Sequence, residues 1–439
     1  MVPDGTHYEK RSFKAPITYG SLRSEIQMLG VPLGSDAFVS EFVEKKLLDR
    51  LLSTVNRLVE FEDTQAATYL LRVSFSIVCA VHFMRTTPLH QWRARAVKFD
   101  SMIRGAIEKI LAFPMDDPTF AQACLTPRLG GLGLRRVVEH ANLAYHASWY
   151  EAQKTAKEVW SPPPNLPAEY ISQKEASFKF DETMQAFLID NADVREAQRL
   201  RRVAQPHACG FITAVPSDED GKETLLRPRN FQIAVAYRLG IPVLNQEIPC
   251  PLCKQPINKF GDHATCCTKL GDPIIRHNSL RNLVDSIGTD AMLSPVMEKR
   301  ILGNSNGQRP GDVTFQKWSD GKGLAIDVAV TSPLAPTYIR MVSPCEWYAA
   351  TQKHAKYDGH PGFEGTDYDF SAMIFETLGA VNAEGEEVLR MLFRFAAKRL
   401  GREFTSYCGR AWARVSCNLQ RSVSQAILTR IDGREFCDA

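Results

Sequence analysis

Two groups of residues have types and spacing that could do chemistry. The first is Cys250-Pro251-Leu252-Cys253, followed after nine residues by His263 and then by Cys267, a C-x2-C-x9-H-x3-C pattern. Zinc takes four thiolate or imidazole ligands in a tetrahedron, and two short-spaced pairs joined by a loop can supply them. Pro256, Asn258 and Gly261 favour turns in that loop over a packed element. Cys266 is an alternative fourth ligand, and spacing alone does not choose between it and Cys267. The plainer reading is a set of buried thiols, but four donors in paired spacing are an uncommon accident. A zinc ion here would fold a small loop that lacks a core of its own, and the loop could then grip a nucleic-acid backbone.

The second group is Arg309-Pro310-Gly311-Asp312 and, after fourteen intervening residues, Asp327. Between them Ser319-Asp320-Gly321-Lys322-Gly323 is a turn signal flanked by two β-prone runs. Folding there makes an antiparallel hairpin in which the two aspartates nearly face each other. Asp327 interrupts the apolar run Leu324-Ala325-Ile326-Asp327-Val328-Ala329-Val330. A carboxylate buried in such a strand is costly unless something compensates it. A Mg²⁺ ion shared by Asp312 and Asp327 would do so, and two carboxylates around Mg²⁺ are what phosphodiester hydrolysis needs. A nearby lysine can position the attacking water or offset charge in the transition state. The usual nuclease pattern puts that lysine two residues after the second acid, where this chain has Ala329. Lys353 and Lys356, three apart on one helix face, are the candidates to reach in from elsewhere. Glu298 could add a third carboxylate from the preceding helix. The plainer reading is a surface hairpin, an incidental buried aspartate and ordinary surface lysines.

The elements that must position these groups read as an α+β, mostly helical chain. Residues 1–160 show helical apolar spacing, with Val43, Leu47, Leu48, Leu51, Leu52, Val55, Leu58 and Val59 as its clearest stretch. Residues 161–240 begin with a proline-rich linker and continue as a helical connector. Residues 241–285 hold the cysteine knuckle. Residues 286–439 mix strands, at about 312–318 and 324–330, with helices at about 344–357, 386–400 and 409–430. The chain has 439 residues, 44% hydrophobic and 23% charged, enough for packed cores in two or three domains. Its net charge of +3 does not single out a polyanionic partner, but residues 390–430 hold nine Lys or Arg against one acid, Glu403. No secretory signal is visible, and the most apolar stretch, residues 66–84, is interrupted by Arg72. Eleven cysteines in such a chain suggest reduced thiols and metal ligation, hence an intracellular protein without a membrane partner.

The combination resembles the C-terminal half of non-LTR retrotransposon reverse-transcriptase proteins. The resemblance is carried by the C-C-H-C knuckle, the Arg276-His277 pair, the R-P-x-D motif, Asp327, and the K-x-x-K-Y run from Lys353 to Tyr357. Leu29-Gly30-Val31-Pro32-Leu33-Gly34-Ser35 and Leu129-Gly130-Gly131-Leu132-Gly133-Leu134-Arg135 look like segments that follow the polymerase palm, in the helical thumb and connector. The resemblance implies a restriction-enzyme-like endonuclease of the PD-(D/E)xK fold, in which the catalytic lysine is likewise displaced to a helix. It assigns Asp312 and Asp327 to Mg²⁺ and Lys353 or Lys356 to the catalytic base or charge-stabilising role. It also implies structural zinc in the knuckle, nucleic-acid contacts at Arg276, His277 and Arg309, DNA and element RNA as candidate partners, and a nuclear location. Gly311 departs from the pattern, since many members have the proline and aspartate adjacent.

Phe113-Pro114-Met115-Asp116-Asp117 has a superficial likeness to a polymerase aspartate pair. It sits between prolines at the end of a helical run, with no strand on either side, and it follows rather than precedes the Leu29-to-Ser35 segment. The expectation is a truncated element without a palm, nicking DNA but not synthesising it. The competing expectation is a non-catalytic, zinc-dependent nucleic-acid-binding remnant.

Overall fold

The computed structural model describes residues 25–156, 171–215, 221–298, 311–319, 321–358 and 367–431. The proline-rich stretch at 161–167, residues 218–220, Arg309 and Asp320 lie outside the described residues.

The first helices form where an apolar stripe can be buried and a polar residue can cap. After the hairpin of β1 (Ile26–Met28) and β2 (Val31–Leu33), Ser35 caps α1 (Asp36–Val43) by accepting from the Phe38 amide. The chain continues through a wide π-type turn (Glu44–Leu48) into α2 (Asp49–Val59). Val39, Val43, Leu47, Leu48, Leu51, Val55 and Leu58 all face inward, as the helical spacing predicts, whereas Leu52 is exposed. Asp63 caps α3 (Thr64–Leu70), which leads through a second π-type turn (Leu71–Phe75) into α4 (Ile77–Thr86). The 23 residues Thr64–Thr86 are long and apolar enough, by length and composition, to cross a membrane. In this fold Ala67, Leu71, Ala80 and Met84 are buried against neighbouring helices, and the Arg72 guanidinium donates to the Ile212 carbonyl at 3.0 Å.

After α5 (Arg93–Leu111), Asp116 accepts from the Thr119 amide at 2.9 Å and so caps α6 (Asp117–Cys124), with Pro118 in its first turn. Asp116 and Asp117 thus belong to a helix start, where no metal-binding hairpin is formed. The glycine cluster that follows permits close approach. A Cβ on Gly131 would stand 2.0 Å from the Leu125 carbonyl oxygen. The Asp100 carboxylate then takes the first amides of α7 (Val137–Ala156), at 2.7 Å from Val137 and 3.1 Å from Val138.

The connector contains α8 (Gln173–Asp190), α9 (Val194–Val203), α10 (Gly210–Thr213), α11 (Gly221–Thr224) and α12 (Pro228–Leu239). The knuckle follows, with β3 (Ile248–Pro249), β4 (Pro256–Ile257) and α13 (Asp262–Cys266), and then the long α14 (Asp272–Asp290). A four-stranded sheet of β5 (Val296–Met297), β6 (Val313–Ser319), β7 (Lys322–Thr331) and β8 (Tyr368–Glu376) lies in that order. The first two pairings are antiparallel and β7–β8 is parallel. The crossover between β7 and β8 carries α15 (Pro344–Tyr348), a π-type turn (Ala349–His354) and α16 (Ala355–Tyr357). The chain closes with α17 (Ala383–Arg399) and α18 (Phe404–Ile431).

Helices cover both faces of this sheet. Val313, Phe315, Leu324, Ile326 and Val328 join the large core with α14, α17 and α18, while Ala329, Phe370, Ala372 and Ile374 pack with Cys345 and Ala349 of the crossover. Gly288 lets α14 approach closely, since a Cβ there would lie 2.4 Å from the Phe315 ring. One buried apolar cluster runs from Val39 to Ile431, so the helical N-terminal part, the connector, the knuckle and the sheet share a core.

A buried ion pair ties the connector to the sheet. Arg202 of α9 meets Glu376 at the end of β8 through two bonds, 2.7 and 2.9 Å, and Glu376 also accepts from the Cys345 amide at 3.1 Å. Removing one partner leaves the other charge buried and uncompensated. Glu376→Ala is therefore expected to destabilise the chain by about 3–5 kcal/mol, read as a lowered urea midpoint. A loss well under about 1 kcal/mol, the range of solvated pairs, would show that water replaces the carboxylate.

Candidate metal centre and acidic site

The knuckle is shaped by local turns. The pairing of Ile248 with Ile257 and Pro249 with Pro256 folds the C-x2-C segment back on itself. The Cys250 amide donates to the Gln255 carbonyl at 2.7 Å, and Lys254 takes the left-handed φ of 66° that this turn requires. Asn258 accepts from the Asp262 amide at 3.1 Å, which starts α13 and brings His263 over the cysteine pair. Arg195 of α9 clamps this start from outside, bidentate on Asp262 at 2.6 and 2.7 Å and 3.8 Å above the Phe260 ring.

The result is one cluster. Ligand atoms of Cys250, Cys253, His263 and Cys267 all lie within 4.8 Å of one another. The Cys253 sulfur is 3.0 Å from His263 Nε2 and 3.7 Å from the Cys267 sulfur. Such a group can hold a metal ion. Cys266 is exposed and its thiol points to the His263 carbonyl at 3.4 Å, so the alternative left open by spacing is decided for Cys267. Burial pushes the Cys250 thiol up, but the amides of Cys253 and Leu252 and the facing thiols outweigh it and bring it to about 7. Burial, then the Arg430 charge, holds His263 below its ordinary value. A thiolate and a neutral imidazole are the forms that bind metal.

The acidic site forms at a gap in the sheet. The β6–β7 ladder starts at the pair Val313–Ile326, so the Val328 edge of β7 lies beyond it. Side chains close that edge. Asp312 Oδ2 accepts from the Val328 amide at 2.7 Å, and His277 Nδ1 lies 2.9 Å from the Val328 carbonyl oxygen. His277 Nε2 lies 3.3 Å from Asp312 Oδ1. Asp327, one residue before Val328, points to the other face of β7, where Lys353 Nζ of the crossover donates to its Oδ1 at 2.7 Å. The expected hairpin is thus present, and it brings Asp312, Asp327 and Lys353 into one neighbourhood.

Their charges influence one another. Burial raises Asp312, but the His277 hydrogen bond and charge, the Val328 amide and Lys353 outweigh it and hold the carboxyl below the usual range. Burial dominates at Asp327 and keeps its carboxyl above that range despite Lys353, with the Asp312 charge adding to the rise. Burial lowers Lys353, but its ion pair with Asp327 prevails and raises it. The Asp312 hydrogen bond raises His277 against burial.

Several sequence-derived candidates are placed elsewhere. Lys356 donates to the Tyr357 hydroxyl at 3.0 Å and lies over that ring, making no contact with either aspartate. The π-type turn that ends at His354 winds more residues per turn than an α-helix, so the pair does not share a face as assumed. Glu298 follows β5 and is not part of a helix. Its amide donates to the Asp312 carbonyl at 2.9 Å, but its carboxylate pairs with Arg281 at 2.6 Å. Arg276 is buried and donates to the Thr265 carbonyl at 3.0 Å, which makes it a strut between α14 and the knuckle and not a phosphate contact. His277 is committed to Asp312 and Val328. Of the basic stretch at 390–430, Arg414 pairs with Glu223 and Arg430 with Asp272, both turned inward, while Arg390, Arg394, Lys398 and Arg399 are exposed.

Sequence reading did not foresee a hydrolase-like chain of Ser177, His140 and Asp181. The Ser177 oxygen lies 3.1 Å from His140 Nδ1, and His140 Nε2 lies 3.7 Å from Asp181. All three are at most 4% exposed, and burial holds His140 down to about 3. No substrate reaches such a group, and Arg135 already occupies Asp181 at 2.7 Å.

Comparison with protein-family models gives no match, and no curated protein matches the chain significantly.

Proposed function

We propose that this chain is a Mg²⁺-dependent DNA endonuclease that nicks one strand, with a structural zinc ion at Cys250, Cys253, His263 and Cys267. The observation that carries the reading is the convergence of Asp312, Asp327 and Lys353 around the stretch of β7 beyond its ladder with β6. The residues fit a hard divalent ion. Both acids offer oxygen, and Asp327 Oδ2 has no hydrogen-bond partner among the described residues. The three thiolates and one imidazole of the knuckle suit zinc instead. The motif resemblance to retrotransposon endonucleases supplies DNA as the substrate class.

Mg²⁺ bound by the two aspartates would supply polarisation of a phosphoryl oxygen and an acidified water. His277 orients Asp312 by spanning it and the Val328 carbonyl. Lys353, held at the site by Asp327, places a cation where charge accumulates on the phosphoryl oxygens.

A second reading is a non-catalytic, zinc-dependent nucleic-acid-binding protein. One observation favours it. The Lys353–Asp327 ion pair already gives the buried carboxylate a counter-charge from the chain itself. Nicking of supercoiled plasmid in Mg²⁺ separates the two. Wild-type protein is expected to nick, Lys353→Ala to be slower by about a hundredfold, the scale of losing one preorganised donor, and Lys356→Ala to match wild type. DNA binding without nicking by the wild type would establish the second reading, and equal losses at the two lysines would remove the role given to Lys353.

A further inference from the structure

We infer that the exposed row Arg390, Arg394 and Lys398 on α17 is a phosphate track that holds duplex DNA flanking the cut. This deepens the reading above and rests on it. The three residues are four apart, so they fall in one line along the helix, about 6 Å between neighbours. A duplex presents one phosphate per about 3.4 Å of axis on each strand, so the row spans three to four of them, roughly, on one backbone.

Two ordinary explanations fall short. A solvated face would mix signs along its length, yet after Glu387 the exposed positions of α17 are Arg390, Arg394, Lys398 and Arg399, all basic. Complementing the helix dipole explains cations only in the last turn, which accounts for Lys398 and Arg399 and leaves Arg390 and Arg394 in mid-helix. The acids of α17, Glu384, Glu386 and Glu387, lie in its first turns. Arg390 touches Glu386 at 3.3 Å in an exposed i,i+4 pair, a weak contact that a phosphate can replace. Arg394 and Lys398 make no ion pair among the described residues, and the Arg394 guanidinium is poised 5.6 Å over the Phe404 ring. Within the row nothing neutralises the charge fully, and its complement is a polyanion.

The row lies in the helical layer on the opposite side of the sheet from Lys353, so it grips flanking duplex and does not touch the phosphate being cut. Its effect belongs in affinity and salt dependence.

The test uses the full chain carrying Asp327→Asn, so that DNA is not consumed, and the anisotropy of a fluorescent duplex between about 50 and 200 mM KCl. Each neutralised phosphate contributes about 0.9 to the slope of log affinity against log salt. Replacing Arg390, Arg394 and Lys398 together by Gln, a good helix former, is expected to flatten the slope by about 2–3. A control replacing Lys45, Lys46 and Arg50, also exposed, by Gln removes the same charge and is expected to change the slope by less than about 1. An unchanged slope in the first variant overturns the inference, as does an equal change in the control or a change confined to an RNA duplex. Circular dichroism confirms that each variant is folded. The nuclease reading is judged separately, by wild-type nicking. Lost nicking with a flattened slope defeats that reading alone, and normal nicking with an unchanged slope defeats the track alone.

Discussion

Replacing Asp327 by Ala is expected to lower the rate of plasmid nicking in Mg²⁺ by at least about a thousandfold, the equivalent of roughly 4 kcal/mol of transition-state stabilisation. The argument is geometric. Asp327 points from β7 to the face where Lys353 stands, and it is near enough to Asp312 for the Asp312 charge to raise its carboxyl. Losing it removes one of two oxygen ligands and the anchor of the lysine together. The fold should survive, because Asp327 is a burial liability whose carboxyl is held above its usual range. Asp327→Asn serves as the shape-preserving companion, with an amide oxygen still able to accept from Lys353. Thermal unfolding of both variants checks that lost activity is not lost structure. If Asp327→Ala nicks as fast as wild type, the cutting agent is not this site and the endonuclease proposal is wrong.

The second large effect concerns the knuckle. Purified protein is expected to carry about one equivalent of zinc, the single ion a four-ligand site holds. Chelation, or Cys253→Ser, is expected to melt the segment between Cys250 and Cys267 and to make it sensitive to protease. Structural zinc contributes about 10–16 kcal/mol to isolated zinc-finger peptides. Here the loss should be smaller, because Ile257 and Ala264 are buried in the shared core and Arg195 holds Asp262 from outside. A drop of several degrees in melting temperature is the expected readout. Cys266→Ser should retain zinc and Cys267→Ser should lose it, as the two thiols point in different directions. Metal analysis showing far less than one equivalent in carefully prepared protein would remove the zinc assignment.

These two sites differ in how much of them could be read in advance. The knuckle was legible because its ligands lie within eighteen residues of chain and its turns are made by Pro256, Asn258 and Gly261, all local effects. The hairpin was legible for the same reason, through a turn signal between β-prone runs. The partner β8 was not, because it pairs with β7 only after a crossover of some thirty-six residues, and nothing local to residues 368–376 announces a parallel neighbour. Of the two lysines, one reaches Asp327 and the other turns to Tyr357, a choice made by a π-type turn that periodicity at 3.6 residues does not anticipate. The resemblance implies nucleic-acid contacts at Arg276 and His277, yet one is sealed under the knuckle and the other spans Asp312 and β7.

From its order of residues alone, this chain determines most of its helical segments, that Cys250, Cys253 and His263 can share a metal with one of two neighbouring cysteines, and that Asp312 and Asp327 belong to one hairpin. Each depends on contacts between near neighbours in sequence, whose energies act whatever the rest of the molecule does. The tertiary structure alone decides that Cys267 and not Cys266 faces the cluster, that Lys353 arrives at Asp327, and which cations of the C-terminal segment stay in water. Those outcomes depend on which surfaces are buried when distant elements pack, and burial is a property of the whole fold.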